Sequence, residues 1–99
     1  MSLKDKNYFV YIIGNERPTL YIGVTNDLVK RVYEHKKGIV SSFTKKYSLN
    51  KILYFEIFNH IEDALKREKQ LKHWNRNWKL EIIIKENPNF EDLYEEIVK

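Results

Sequence analysis

The chain has no cysteine, only three glycines and two prolines in 99 residues, and no apolar run approaching the length of a membrane span. The missing cysteine excludes a disulfide framework, a thiolate zinc site and a cysteine nucleophile at once. A bilayer-spanning helix needs roughly 20 apolar residues. None is present, and the charged start lacks the apolar stretch of a signal peptide, so the expectation is a cytoplasmic protein with no membrane partner. No repeat, low-complexity tract or linker interrupts the pattern. With 42% hydrophobic residues, the length suits one core and is too short for two, so residues 1–99 are expected to form one domain.

Acidic residues are also scarce over most of the chain. Residues 1–80 carry 16 Lys and Arg against 8 Asp and Glu, whereas residues 81–99 carry 2 against 6. In 66–79, Lys66, Arg67, Lys69, Lys72, Arg76 and Lys79 face Glu68 as the only acid, with Trp74 and Trp78 interleaved. A polyanion is the natural partner of such a surface. The tryptophans themselves are expected in the core.

The aromatic and branched runs Tyr8–Ile13 and Leu20–Val24, separated by Gly14-Asn15-Glu16-Arg17-Pro18-Thr19, predict a hairpin. Thr25-Asn26-Asp27 offers N-caps for a helix over about 27–37, with Gly38 as its stop and Leu28, Arg31, Val32 and His35 on one face. The polar stretch 39–50, which includes Ser41-Ser42 and Lys45-Lys46, reads as a loop with at most a helical turn. Ile52–Phe58 predicts a third strand, and the segment after Asn59 a helix to about Trp74, with Glu62 and Asp63 in its first turn. Trp78–Lys85 reads as a helix, although Ile82-Ile83-Ile84 suits a strand equally. Beyond Asn87-Pro88-Asn89, residues 91–98 predict a short amphipathic helix.

Within the helix after Asn59, Ile61, Ala64, Leu65 and Leu71 recur at helical spacing, and Glu68 falls on their side. A carboxylate there needs a hydrogen bond, a counter-charge or a metal, because burying it alone costs several kcal/mol. A salt bridge to Arg31 or a lysine is the bland solution; a functional site is the other. His60 and His73 are expected in surface or capping roles.

Taken together, Val10-Tyr11, Tyr21-Ile22-Gly23, Arg31 ten residues on, His35 one helical turn later and Glu68 on a further helix resemble the GIY-YIG nuclease family, in particular its small bacterial members. The resemblance covers most of the chain. It implies an α/β chain of the α+β type, a small three-stranded antiparallel sheet flanked by helices, and hydrolysis of a nucleic-acid phosphodiester, DNA first, with one Mg²⁺ or Mn²⁺ ion. By the same resemblance Tyr21 is the general base or water-orienting group and Tyr11 packs beside it. Arg31 holds the scissile phosphate, His35 contacts it or shares proton transfer, and Glu68 is the metal ligand. Lys30, Lys45, Lys46, Lys69, Lys72 and Arg76 are the basic residues expected against the nucleic acid. A free tyrosine ionises near pH 10, so a base role at neutral pH requires positive charge close by.

Two positions depart from the family pattern. Phe9 stands where the namesake glycine often precedes Val10-Tyr11, and Val24 where repair-type members often carry lysine. A separate targeting domain is absent from the pattern, which implies a protein partner supplying the target. Two other readings compete with the enzyme: a nucleic-acid-binding module that no longer cuts, and an interaction domain docking through the acidic segment 81–99.

Overall fold

The computed structural model describes residues 7–39 and 42–99; Ser41 of the mixed polar stretch lies outside them. Strand β1 (Tyr8–Gly14) runs between β2 (Leu20–Thr25) and β3 (Lys51–Phe58), giving the order β2-β1-β3 with both pairings antiparallel. The central position explains the composition of β1. Val10, Tyr11, Ile12 and Ile13 are all fully buried because helices cover both faces of the sheet. The register against β3 shifts between Ile12 and Ile13, so that Ile12 opposes Tyr54 and Ile13 opposes Ile52, with Leu53 between them as the extra residue of a bulge.

Alternation along β1 sorts the interior into two cores. Val10 and Ile12 pack with Ile22, Leu53 and Tyr54 against Ala64 and Leu71 of α3 (Ile61–His73) and Ile83 of α4 (Arg76–Glu86). Tyr11 and Ile13 pack on the other face with Leu49 and Ile52 against Leu28 and Val32 of α1 (Leu28–Lys36). A five-residue helix, α2 (Ser42–Lys46), precedes β3.

Local chemistry sets the boundaries. Asn15 organises the hairpin: its side-chain oxygen accepts from the amides of Arg17 and Thr19, and its amide donates to the Tyr47 carbonyl at 2.8 Å. Asp27 caps α1 by accepting from the Lys30 amide, and Gly38, at φ +72°, ends it in the left-handed region. Asn75 caps α4 through the Trp78 amide, which resolves Ile82-Ile83-Ile84 as helical.

Three expectations need correction. Leu65 does not face the core; it is 47% exposed, because only Ala64 and Leu71 of α3 are fully buried. Trp78 is 53% exposed, held edge-on to Trp74 at 5.9 Å, since Ile83 takes the core position of α4. His60 is exposed at the N-cap position of α3 and makes no side-chain capping bond, a surface role as expected, and Glu62 and Asp63 complement that helix end. The closing helix α5 is four residues, Tyr94–Ile97. Residues 91–93 are instead pinned to the bulged strand: Asn87 bonds the Leu53 and Glu91 carbonyls, Asp92 accepts from the Ile52 amide, and the Leu93 amide donates to the Ile52 carbonyl at 2.9 Å. Asp92 also pairs with Lys36 of α1, so part of the acidic segment is engaged within the chain. Among the described residues no helix is long and apolar enough to cross a membrane.

Candidate active site

The geometry begins with a glycine inside a strand. Gly23 of β2 opposes Tyr11 of β1, and a Cβ at position 23 would lie 2.5 Å from the Tyr11 hydroxyl oxygen and 2.6 Å from Cζ. Only a residue without a side chain lets the Tyr11 ring lie across β2, carrying its hydroxyl toward the sheet edge that β2 forms. The hydroxyl meets His35 Nε2 at 3.0 Å, the two rings edge-on at 5.6 Å. Tyr21, two residues before Gly23 and therefore on the same face, is half-buried and places its ring 5.6 Å from His35. Phe43 of α2 closes the other side of Tyr21 at 6.3 Å.

Helix α1 delivers His35 and Arg31, one turn apart. Arg31 is loosely held: Nη1 reaches the Val24 carbonyl at 3.5 Å and Nε stands 3.6 Å from Glu34. A guanidinium with such long contacts keeps its donors available for an anion. Lys30 and Arg31, with Thr25, Asn26, Asp27 and Glu34, line a polar cleft of about 210 Å³ beside it.

Helix α3 brings Glu68 from the opposite face of the sheet. Its side chain is 21% exposed, and Lys72 one turn on takes Oε2 at 3.1 Å. The bland solution for this carboxylate is thus realised by a lysine of its own helix. Its charge nevertheless reaches Tyr11.

Burial dominates the electrostatics. It pushes the Tyr11 phenol up to about 12, partly offset by hydrogen bonding and charge from Arg31. It pulls His35 down to about 4, with the Arg31 charge adding to the effect, so the imidazole is neutral at pH 7. Neutral imidazole has one N–H, and Tyr11 engages Nε2 only. His35 Nδ1 is buried and has no hydrogen-bond partner among the described residues, an open valence at the centre of the cluster.

The structure brings Tyr11, Tyr21, Arg31 and His35 into one cluster, with Glu68 reaching it electrostatically. Among the basic residues, Lys30 lines the cleft, and exposed Lys69 and paired Lys72 share α3 with Glu68. Lys45 and Lys46 lie on α2, whose Phe43 touches Tyr21; the Lys46 ammonium sits 5.5 Å above the Tyr47 ring. Arg76 stands apart, donating to the Pro18 carbonyl at 2.7 Å and tying α4 to the hairpin turn.

For a metal, the donor set is one carboxylate; no group of three His, Cys, Asp or Glu side chains occurs among the described residues. That set fits a hard divalent ion that keeps most of its water and takes further oxygens from a substrate phosphate. It does not fit a closed structural site. Sequence reading missed the spatial role of Gly23, which a lone glycine inside a strand pattern signals, and the contact of Phe43, which no local pattern signals.

Residues 7–81 match the family model described as the GIY-YIG catalytic domain. A UPF0213 protein of Clostridium perfringens is 35% identical over 89 residues, 90% of this chain and 96% of that protein. A UPF0213 protein of Syntrophus aciditrophicus is 39% identical over 85 residues, covering 85% and 95%. The solution NMR structure of a UPF0213 protein from Bacillus halodurans shares the fold, with a TM-score of 0.56 at 24% identity over 87% of this chain and 92% of that one.

Proposed function

The chain belongs to the GIY-YIG family of nucleases and to its small UPF0213 group, and from that premise we propose that it is a metal-dependent endonuclease that hydrolyses phosphodiester bonds in DNA, with structural selectivity or weak sequence preference. The carrying observation is the placement, through Gly23, of the Tyr11 hydroxyl against His35 beside half-buried Tyr21 and loosely held Arg31.

In this reading Arg31 binds the scissile phosphate and offsets charge building on its equatorial oxygens, a task suited to a planar, permanently charged fork. Tyr21, the less buried tyrosine, orients the attacking water and takes its proton as the new P–O bond forms and the bridging P–O bond breaks. Arg31 of the same cluster is the positive charge that a base role for a phenol calls for. Tyr11, buried and held against a neutral imidazole, fixes the position of the cluster and is a poor base at neutral pH. Glu68 would hold a single Mg²⁺ or Mn²⁺, which when bound supplies Lewis-acid stabilisation of the phosphate and leaving oxygen. Lys30, Lys45, Lys46, Lys69 and Lys72 supply non-specific attraction to the backbone.

The test is cleavage of single-stranded, duplex, flap and branched DNA and of RNA, each with Mg²⁺, Mn²⁺ or EDTA. Metal-dependent products are expected, reduced at least about 100-fold in folded Tyr21→Phe and Glu68→Ala proteins. Full activity in folded Glu68→Ala overturns the assignment. Salt-sensitive binding with no cleavage under any metal identifies a binding module instead.

A further inference from the structure

Away from the tyrosine cluster, on the α3 face of the sheet, a second polar network has no part in the proposed chemistry. Arg67 donates to Glu56 of β3 through two parallel bonds, Nε to Oε1 and Nη2 to Oε2, both at 2.9 Å. Tyr54, two residues back on the same strand face, donates to Glu56 Oε2 at 2.5 Å. The third nitrogen, Nη1, donates to Gln70 at 2.7 Å, and the guanidinium lies 5.2 Å from the Trp74 ring centre. Glu56 and Arg67 are 20% and 24% exposed.

Helix α3 needs such a device. Its fully buried residues are Ala64 and Leu71, a seam too narrow to define how the helix is rolled about its axis. At about 100° per residue, Arg67 and Glu68 project roughly 50° to either side of that seam. Arg67 turns toward β3 and is clamped there; Glu68 therefore turns toward β2, the opposite edge of the sheet. Glu68 itself bonds only Lys72 of its own helix among the described residues, so its aim is inherited from the roll of α3.

We propose that the Arg67–Glu56 pair, braced by Tyr54, is a positioning device that sets the roll of α3 and thereby presents the Glu68 carboxylate to a divalent cation at the β2 edge. The inference rests on the reading of Glu68 as the metal ligand. A bidentate pair suits the role because its two bonds fix orientation as well as distance, and polar pairs at packing seams specify one arrangement among several of similar energy.

The experiment is a Mn²⁺ titration of ¹⁵N-labelled protein without nucleic acid, reading paramagnetic broadening of backbone amides. In the wild type the amides near Glu68 broaden first, and Glu68→Ala loses this. Arg67→Lys, which keeps the charge and loses the fork, and Glu56→Gln, which keeps the shape, are expected to need at least about fivefold more Mn²⁺ for equal broadening. Tyr54→Phe, the gentlest change, is expected to need about two- to threefold more. Lys51→Met, which breaks the exposed pair with Glu16, is expected to match wild type. If folded Arg67→Lys stays within twofold of wild type, or melts earlier with Mn²⁺ broadening unmoved, the pair is structural only and the inference falls. Should Arg67→Lys not fold, unchanged broadening in Tyr54→Phe overturns it in the same way. Broadening absent from wild type, or retained in Glu68→Ala, removes the metal reading, and the positioning role with it.

Discussion

Two tyrosines of one small sheet, Tyr11 and Tyr54, hydrogen-bond titratable side chains, and the clusters around them are completed to different degrees. Tyr54 joins Glu56 and Arg67 in a network where each nitrogen of the guanidinium has an acceptor and both carboxylate oxygens are occupied. Tyr11 joins His35 and Arg31 in a cluster where, among the described residues, the histidine keeps a buried, unpartnered nitrogen and the arginine stands 3.5 Å from the Val24 carbonyl and 3.6 Å from Glu34. The clusters lie on opposite, covered faces of the same sheet. A closed network lowers the energy of one arrangement; an unfinished one costs stability and leaves valences for something that binds later. In the proposed reading, the difference separates a structural cluster from a functional one.

Replacing each tyrosine by phenylalanine tests that separation most directly. Tyr11→Phe is expected to lower cleavage by about 100-fold through misplacement of the cluster and to destabilise by about 1–3 kcal/mol, because the buried His35 Nε2 loses its partner. Tyr54→Phe is expected to destabilise by about 1–2 kcal/mol, because it strips a bond from a half-buried carboxylate, with a smaller effect on cleavage. Denaturant melts and single-turnover rates on the same preparations read both quantities, and equal profiles for the two variants would erase the distinction.

Gly23→Ala probes what the open cluster requires. A Cβ 2.5 Å from the Tyr11 hydroxyl must displace that ring or part β1 from β2. A loss of roughly 1–3 kcal/mol is expected, together with loss of the Tyr11 to His35 bond, which the His35 imidazole nitrogen shifts report. Wild-type shifts in the variant would show that the ring has another place to lie.

Acid titration separates the clusters by pH window. His35 is held near 4 by burial and by Arg31, whereas an unfolded histidine titrates near 6.5. Between those values the unfolded state binds the extra proton, so stability rises with pH across about 4 to 6.5 and is lost as pH falls through it, at up to about 1.4 kcal/mol per pH unit. For Glu56, burial opposes ionisation, but the bonds from Arg67 and Tyr54 prevail and hold its carboxyl below the ordinary value. Its contribution is complete above that value and is lost as pH falls through the lower folded one. His35→Gln should flatten the upper window alone and Glu56→Gln the lower alone; a slope across the upper window that survives His35→Gln would reassign it.

Much of this was legible before any coordinates. The hairpin, α1 with its Asp27 cap and Gly38 stop, β3 and α3 follow from turn chemistry, capping residues and periodicities that act over a few neighbouring positions. Periodicity names the face of a helix that is buried, and does so less securely at its margins. Leu65 satisfied the spacing and Trp78 was expected in the core as a tryptophan, yet both ended on the surface, because Ala64 with Leu71 and then Ile83 had already filled the contact with the sheet.

The sequence by itself therefore determined the three strands, α1 and α3, their order, the basic character of residues 1–80 and the residue types of the tyrosine, arginine, histidine and glutamate set, since each depends on local chemistry or on composition. Tertiary structure alone decided that Tyr11 lies over Gly23 to reach His35, that Arg67 turns to Glu56 while Glu68 turns to the other edge, and that Asp92 is spent on Lys36 and the Ile52 amide. These pairings join residues 11 to 56 positions apart. They are set by how the two helix layers seat on the twisted sheet, a property of packing that no short window of residues contains.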